Sequence, residues 1–214
     1  PEMAAELEDA RAKLLEVRNR RQQPLRDLKI LTGWNGLMIA ALACGAATTG
    51  NKHWLEAAIK AEKFISKQLV TPEGRLLRSW CQTAANIPAF LEDYAFMAWG
   101  CLEIYRAGNN ADYLQKAEQL CNQAIKLFRK NNGQLVFSGQ DQAVLPVNLP
   151  DIYDGVTPSG SSVLAINLQQ LAALTGKEQW QKQAESIMQH LLHQAARTPL
   201  NHLWLMQSAS IINT

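Results

Sequence analysis

Side chains that can bind and transform a sugar are concentrated at three places along this chain of 214 residues. The three groups lie at residues 27–36, 92–94 and 151–162, and a loop at residues 75–80 adds two arginines and a tryptophan. Aromatic rings stack on the apolar faces of sugars, carboxylates and amides bind hydroxyl groups, and two carboxyls can supply acid and base. These residue types predict a carbohydrate site, provided that the fold brings the groups together.

Within these groups, Asp93 is the candidate general acid or base, and Asp27 or Asp154 is the candidate second carboxylate. The predicted substrate-binding residues are Trp34, Asn35, Arg78, Trp80, Glu92, Tyr94, Tyr153 and Ser159. Several of these residues also have a structural explanation, because Asp27, Asp93 and Ser159 near helix N-termini can serve as caps, and Trp34 and Tyr94 stand at core spacing. The functional hypothesis rests on the groups occupying equivalent positions of a repeat.

Histidines and cysteines give no comparable signal. His190 and His193 are three residues apart, but they stand among glutamines on a predicted outer helix, where a solvated face is the simpler interpretation. The four cysteines are isolated from one another, without the close pairs of a zinc site or a disulfide framework. We expect no metal, no cofactor, and a reducing cytoplasm as the compartment.

The composition and net charge limit the classes of partner that the sequence supports. Hydrophobic residues make up 47% of the chain, charged residues 19%, and the net charge is +2, which favours neither nucleic acid nor a membrane surface. No apolar run reaches the roughly 20 residues that span a bilayer. Residues 1–21 are predicted to form a charged amphipathic helix rather than a signal peptide.

An internal repeat predicts the elements that must position the candidate residues. A pattern of one aromatic and three small or apolar residues recurs at the i, i+4, i+7 and i+11 spacing of one helix face. The three copies are Trp54, Ala58, Ala61, Ile65; Tyr113, Ala117, Leu120, Ala124; and Trp180, Ala184, Ile187, Leu191. Nineteen residues before each leading aromatic, Asn35, Tyr94 and Ser161 stand near the start of a preceding helix. The sequence therefore predicts an all-α fold of about three helical hairpins with flanking helices.

The connections are predicted to differ at the two ends of these hairpins. Short turns at Gly50, Gly108 and Gly176 join each apolar inner helix to its amphipathic outer helix. Long loops, with strand-like pieces near residues 76–80 and 135–137, lie at the other end, where the inner helices begin. Because loops on a rigid scaffold carry function, this end is the predicted active face.

Three hairpins in a row leave their edges uncovered, since repeat stacks need caps or closure. We therefore interpret residues 1–214 as one hairpin-repeat domain, a fragment of a larger ring, with residues 200–212 beginning another hairpin. The edge residues Leu37, Met38, Leu168 and Leu171 are predicted to be partly exposed, and a homo-oligomer could form through such edges.

Several motifs resemble the YyaL-like proteins, whose animal members are called spermatogenesis-associated thioredoxin-like proteins. The matching segments are KILTGWNGL at residues 29–37, LEDYA at 91–95, DG at 154–155 and PSG at 158–160. The resemblance implies a six-hairpin glycosidase-like (α/α)₆ barrel, or α/α toroid, of which this chain is the C-terminal half. It also implies a thioredoxin-like domain elsewhere in the parent protein, and kinship with glycosidases and N-acylglucosamine 2-epimerases.

One segment departs from the pattern of that family. The family commonly has His-x-Asp-Asp-Lys before the tryptophan, whereas this chain has Leu25 in place of the histidine and Leu28 in place of one aspartate. If those groups do chemistry in the family, this chain binds a ligand without turning it over. Two hypotheses therefore stand: a carbohydrate-active barrel domain that takes a sugar-like small molecule, and a non-catalytic binding or scaffold module that works with the rest of the barrel and the thioredoxin-like domain.

Overall fold

Three antiparallel helical hairpins form the body of the protein. The computed structural model describes residues 2–142, 147 and 149–206. The helices are α1 (Glu2–Asn19), α2 (Thr32–Thr49), α3 (Lys52–Gln68), α4 (Leu91–Gly108), α5 (Ala111–Phe128), α6 (Gly160–Thr175) and α7 (Glu178–Ala195). A 3₁₀ turn follows at Pro199–Asn201, and residues 203–206 are helical. The predicted three hairpins and N-terminal helix are confirmed, whereas part of the predicted segment 200–212 lies outside the described residues.

The inner helices α2, α4 and α6 pack side by side, with α4 in the middle. Glycine permits the closest approach, because a methyl group on Gly36 would lie 2.6 Å from the carbonyl carbon of Phe96 and 2.7 Å from the Met97 nitrogen. From the other helix, a methyl group on Gly100 would lie 2.9 Å from the side chain of Ile39. Backbone-to-backbone contact of this kind fixes how the starts of α2 and α4 lie relative to each other.

The turns within the hairpins are short, as predicted. Gly50 and Gly176 end α2 and α6 with φ angles of 72° and 67°. Gly108 is still helical, however, and the left-handed position after α4 belongs to Asn109, with φ of 52°. Asparagine tolerates this conformation better than most residues because its short polar side chain can hydrogen-bond locally.

The long connections lie at the opposite end, at the starts of the inner helices. Three short antiparallel strands, β1 (Ile30–Leu31), β2 (Ser79–Cys81) and β3 (Thr83–Ala84), join the loop before α2 to the loop before α4. In the ranges that the structure describes, the strand-like piece predicted near residues 135–137 forms one isolated bridge, between Leu135 and Arg129. We call this end, where α2, α4 and α6 begin, the loop pole.

The predicted exposed edges are found on one side only. On α2, Trp34 and Met38 are 65% and 59% exposed, and Leu37 is partly exposed. The expectation for Leu168 and Leu171 is wrong, because α6 packs against both α4 and α7 and both leucines are fully buried in the core. None of the described helices is apolar over a length sufficient to cross a bilayer.

Substitution of Gly36 tests the close contact between α2 and α4. Gly36→Ala should lower the free energy of unfolding by about 1–3 kcal/mol, because the methyl group meets backbone that cannot turn away. Gly45→Ala is the matched control: its methyl group would meet only the ring of Trp54 at 3.0 Å, a side chain that is 41% exposed. Urea denaturation of both variants checks this, and equal stability would contradict the proposed packing.

Candidate functional site

An arginine lies at the centre of the loop pole and contacts two adjacent carboxylates. Arg78 Nη1 is 2.5 Å from Glu92 Oε1 and 3.0 Å from Asp93 Oδ2. The side chains of Arg78 and Glu92 are 22% and 23% exposed, so this ion pair faces the surface in part. The Arg78 carbonyl accepts a hydrogen bond from the Thr32 nitrogen at 3.0 Å, which ties the loop to the start of α2.

Asp93 is fully buried and joins two inner helices. Its Oδ1 accepts a hydrogen bond from the Gly33 nitrogen of α2 at 2.8 Å, and its Oδ2 accepts one from the Phe90 nitrogen at 2.8 Å. Burial raises the pKa of Asp93, and the neighbouring Arg78 opposes that shift. With these donors the carboxylate satisfies orphan amides at two helix N-termini. The predicted catalytic role of Asp93 stays a prediction, and the geometry supports a positioning role.

A third carboxyl, that of Asp151, lies at the start of α6 and interacts electrostatically with Glu92. Its Oδ2 accepts a hydrogen bond from the Gly160 nitrogen at 2.8 Å. A methyl group on Gly160 would lie 2.6 Å from that oxygen and 2.7 Å from the Glu92 nitrogen, so the starts of α4 and α6 meet at this glycine. Burial raises the pKa of Asp151 to about 6, and the charges of Glu92 and Asp154 add to the shift.

Asp154 and Ser159 serve as caps. Asp154 Oδ1 accepts a hydrogen bond from the Ser159 nitrogen at 2.9 Å, while Oδ2 accepts from the nitrogens of Trp204 and Leu205 at 3.0 and 3.2 Å. Ser159 is buried, and its hydroxyl oxygen accepts from the Ser162 nitrogen at the start of α6. Both side chains are therefore engaged in holding backbone, and their predicted catalytic and binding roles stay predictions.

The predicted aromatic platforms lie in different surroundings. Trp34 and Tyr153 are 65% and 63% exposed, so each presents a ring to solvent. Trp80 packs edge-on against Phe64 of α3, and its ring centroid is 5.5 Å away. Tyr94 does not present a stacking face, contrary to expectation. It is fully buried, its ring packs against Phe128, and its hydroxyl accepts from the Leu76 nitrogen.

Asp27 and Asn35 complete the predicted set. Asp27 is exposed and accepts a hydrogen bond from the Lys29 nitrogen at 3.1 Å, which lowers the pKa of the aspartate. Asn35 donates to the Leu31 carbonyl at 2.8 Å. Within the described part of the chain, no hydrogen bond or ion pair joins either side chain to Arg78, Glu92 or Asp151.

The loop pole thus brings together Arg78, Glu92 and Asp93, and adds Asp151, which the sequence analysis placed in the right group without assigning it a role. A signal was present in the sequence, because Asp151 stands nine residues before Gly160 in a loop that leads into an inner helix. Among the residues that the structure describes, no three histidine, cysteine, aspartate or glutamate side chains are grouped so as to hold a metal ion.

Comparison of sequences finds relatives that are much longer than this chain. No protein-family model matches the chain. The human spermatogenesis-associated protein 20 is 33% identical over 200 residues, which covers 88% of this chain and 25% of that protein. An uncharacterized protein of Caenorhabditis elegans is 30% identical over 191 residues, covering 86% of this chain and 26% of that protein. The chain therefore spans about a quarter of the length of these relatives.

Comparison of structures shows the fold. A D-mannose isomerase superposes with a TM-score of 0.63 at 17% identity over 77% of this chain and 45% of that one. The cellobiose 2-epimerase of Bacillus thermoamylovorans superposes with a TM-score of 0.61 at 14% identity, over 78% of this chain and 45% of that one. An α-mannanase of glycoside hydrolase family 76 from Bacteroides thetaiotaomicron superposes with a TM-score of 0.61 at 17% identity, over 79% of this chain and 45% of that one. The protein has the all-α, α/α-toroid architecture of glycosidases, epimerases and isomerases, over less than half of each of these chains.

The burial of Asp93 predicts a large structural cost for its neutralisation. Asp93→Asn retains one acceptor oxygen for two backbone donors and leaves Arg78 without one partner, so it should lower the free energy of unfolding by about 3 kcal/mol. Asp27→Asn, at an exposed carboxylate, should leave stability unchanged. Thermal or urea unfolding checks the pair, and a stable Asp93→Asn variant would rule out the tethering role.

The two aspartates Asp151 and Asp27 should titrate in different pH ranges. Carboxyl ¹³C shifts should give a midpoint near pH 6 for Asp151 and one below 3.8 for Asp27. Since folded Asp151 keeps its proton to higher pH than an unfolded aspartate, its stabilising contribution is complete below about pH 4 and is lost as the pH rises through 6. The stability of wild type relative to Asp151→Asn should therefore fall across that interval, and an ordinary titration of Asp151 would contradict the assignment.

Proposed function

We propose that the loop pole is the sugar-binding site of a carbohydrate-active α/α-barrel domain, with Glu92 and Asp151 as its reacting carboxyls. The observation that carries the proposal is that Asp151 binds Gly160 where the backbone of Glu92 also meets that glycine, and that the charge of Glu92 helps to raise the pKa of Asp151 to about 6. The similar folds of a mannose isomerase, a cellobiose epimerase and a mannanase support the ligand class, since all three are named for sugars.

The proposal assigns the two carboxyls complementary roles in acid–base catalysis. Glu92, whose Oε1 lies 2.5 Å from Arg78 Nη1, is the carboxylate that accepts a proton. Asp151 holds a proton up to about pH 6 and can donate it to a sugar oxygen. Glycoside hydrolysis, epimerisation and isomerisation all use such an acid and base, so the proposal specifies proton transfer at a sugar and leaves the reaction among these three open.

Other residues of the pole take supporting roles in this proposal. Trp34 and Tyr153 offer the exposed rings on which an apolar sugar face could stack. Asp93 positions Arg78 from behind and fixes α2 against α4. Asp27 and Asp154, the other predicted carboxylates, are not needed for the proton transfer.

The proposal includes further helical hairpins as partners. The chain covers 45% of the toroids of the mannose isomerase and the cellobiose epimerase, and the face of α2 one turn beyond Trp34 exposes Met38. In a closed ring another inner helix packs against this face and completes the wall of the site. The thioredoxin-like domain of the family that the sequence resembles would be a second partner. Alternatively, two copies of this chain associate and cover the exposed face of α2.

A non-catalytic binding or scaffold module is the second candidate function. It is favoured by the engagement of Asp93 and Asp154 in backbone caps, which leaves fewer carboxylates for chemistry. The replacement of two family residues by Leu25 and Leu28 points the same way. Under this alternative the pole binds a ligand, and no proton passes between the carboxyl pair and that ligand.

Paired isosteric variants distinguish the two functions. With D-mannose and cellobiose as probes, we expect ¹H NMR to show slow conversion by wild type. We expect losses of about 100-fold or more in rate for Asp151→Asn and Glu92→Gln, with the apparent affinity within a few-fold. Asp141→Asn, which removes a carboxylate paired with Arg75, is the control and should leave the rate unchanged. Binding without conversion, unaltered by either variant, would support the scaffold function; neither binding nor conversion would refute the sugar site.

A further inference from the structure

A separate cavity lies on the outer side of the hairpins, between α3 and α5. Its volume is about 260 Å³, and the loop that connects α3 to β2 closes one end of it. Leu76 and Met97 form apolar parts of the wall, and Glu62, Lys116, Gln119 and Gln123 supply the charged and amide groups. The cavity shares no lining residue with the group formed by Arg78, Glu92 and Asp151.

The glutamate in this wall is buried with half of its hydrogen-bonding capacity unused. Glu62 is 1% exposed, and its Oε1 accepts from Lys116 Nζ at 2.7 Å and from the Ser66 hydroxyl at 2.5 Å. Its Oε2 is buried and has no hydrogen-bond partner among the described residues. A buried carboxylate oxygen without a donor is costly, so a group that donates to it gains more than the same hydrogen bond gains at the surface.

The chemistry of the wall defines the complementary ligand. Glu62 and Lys116 form a pair with no net charge, which gives no reason to bind an ion. The carboxylate needs a donor, and the neighbouring ammonium can serve an acceptor. A primary amide presents a donor and an acceptor on adjacent atoms, and an apolar body would fit the remaining wall of Ile65, Val70, Leu76, Met97 and Leu120.

We propose that this cavity is a binding site for a small neutral molecule that carries a primary amide, or an equivalent adjacent donor and acceptor, on an apolar body. The amide nitrogen donates to Glu62 Oε2, and the amide oxygen accepts from the Lys116 ammonium. Because Glu62 Oε2 is closed off from solvent, the ligand reaches it only when the carboxyl and ammonium groups rotate, and the ammonium is free to do so because the Lys116 side chain is 37% exposed.

The cavity adjoins the loop that carries Arg78. Gln123 Nε2 donates to the Gly74 carbonyl at 3.3 Å, and both residues line the cavity. Gly74 and Leu76 precede Arg78 by four and two residues. Occupancy of the cavity is therefore read most directly at the backbone amide of Gly74, which provides a resonance specific to this site.

Benzamide and acetophenone form the test pair, because they have nearly the same shape and differ in an NH₂ group that donates and a CH₃ group that cannot. In ¹⁵N NMR titrations of the whole chain, benzamide should shift the Gly74 amide and the Gln123 side-chain amide saturably. We expect it to bind roughly tenfold more tightly than acetophenone, as one hydrogen bond to a charged acceptor implies.

Two variants and a control locate the effect. Glu62→Gln should abolish the preference for benzamide. Leu120→Trp, at a partly exposed position, should fill the cavity and abolish binding of both probes. Glu118→Gln neutralises a carboxylate of α5 that is paired with Lys177 and does not line the cavity, so it should change neither affinity.

Equal affinities of the two probes for wild type would overturn the proposal even if Glu62→Gln failed to fold. The proposal would also be overturned if benzamide failed to shift the Gly74 amide resonance, which would mean that the cavity accepts water only. A preference for benzamide over acetophenone that survives Glu62→Gln would overturn it as well. These outcomes are independent of sugar binding at the loop pole.

Discussion

The contact of Asp93 with Arg78 and two backbone amides is the interaction on which the loop pole depends. One buried carboxylate accepts hydrogen bonds from the Gly33 and Phe90 nitrogens and neutralises an arginine whose own carbonyl holds the start of α2. Buried carboxylates are tolerated where such donors compensate for lost hydration. The same arginine then reaches Glu92, so the structural anchor and the proposed reacting group share one cation.

Within a single turn of α4, the residues that stabilise the structure differ from the residue that is proposed to react. Glu92, Asp93 and Tyr94 are consecutive, and the helix directs them about 100° apart. Glu92 is partly exposed beside Arg78, Asp93 lies between α4 and α2, and Tyr94 is buried against Phe128. Adjacent residues of one motif therefore have three different surroundings. The proposed chemistry belongs to the first, and the other two keep the arginine and the loop in place.

The sequence was sufficient for the hairpins and for the position of the pole, because both follow from local patterns. The spacing of Trp54, Ala58 and Ile65 is a property of one helix face, and it survives in the core as Ala58 and Ile65, both fully buried. The roles of Asp93 and Asp151 were not accessible in the same way. They depend on which donors another hairpin supplies, and the pKa of Asp151 depends on charges distant in sequence. The burial of Leu168 and Leu171 was missed for the same reason, since it requires knowing that α6 is enclosed by α4 and α7.

The central claim is that a sugar binds where α4 and α6 begin, in contact with Glu92 and Asp151. The most direct measurement is a ¹H–¹⁵N NMR titration of the assigned chain with cellobiose, with shifts mapped by residue. The account predicts saturable shifts of the Gly160 and Glu92 amides and the Arg78 guanidinium, with the Gly74 amide unaffected. Shifts confined to other parts of the chain, or none at concentrations well above those typical of sugar binding, would contradict it.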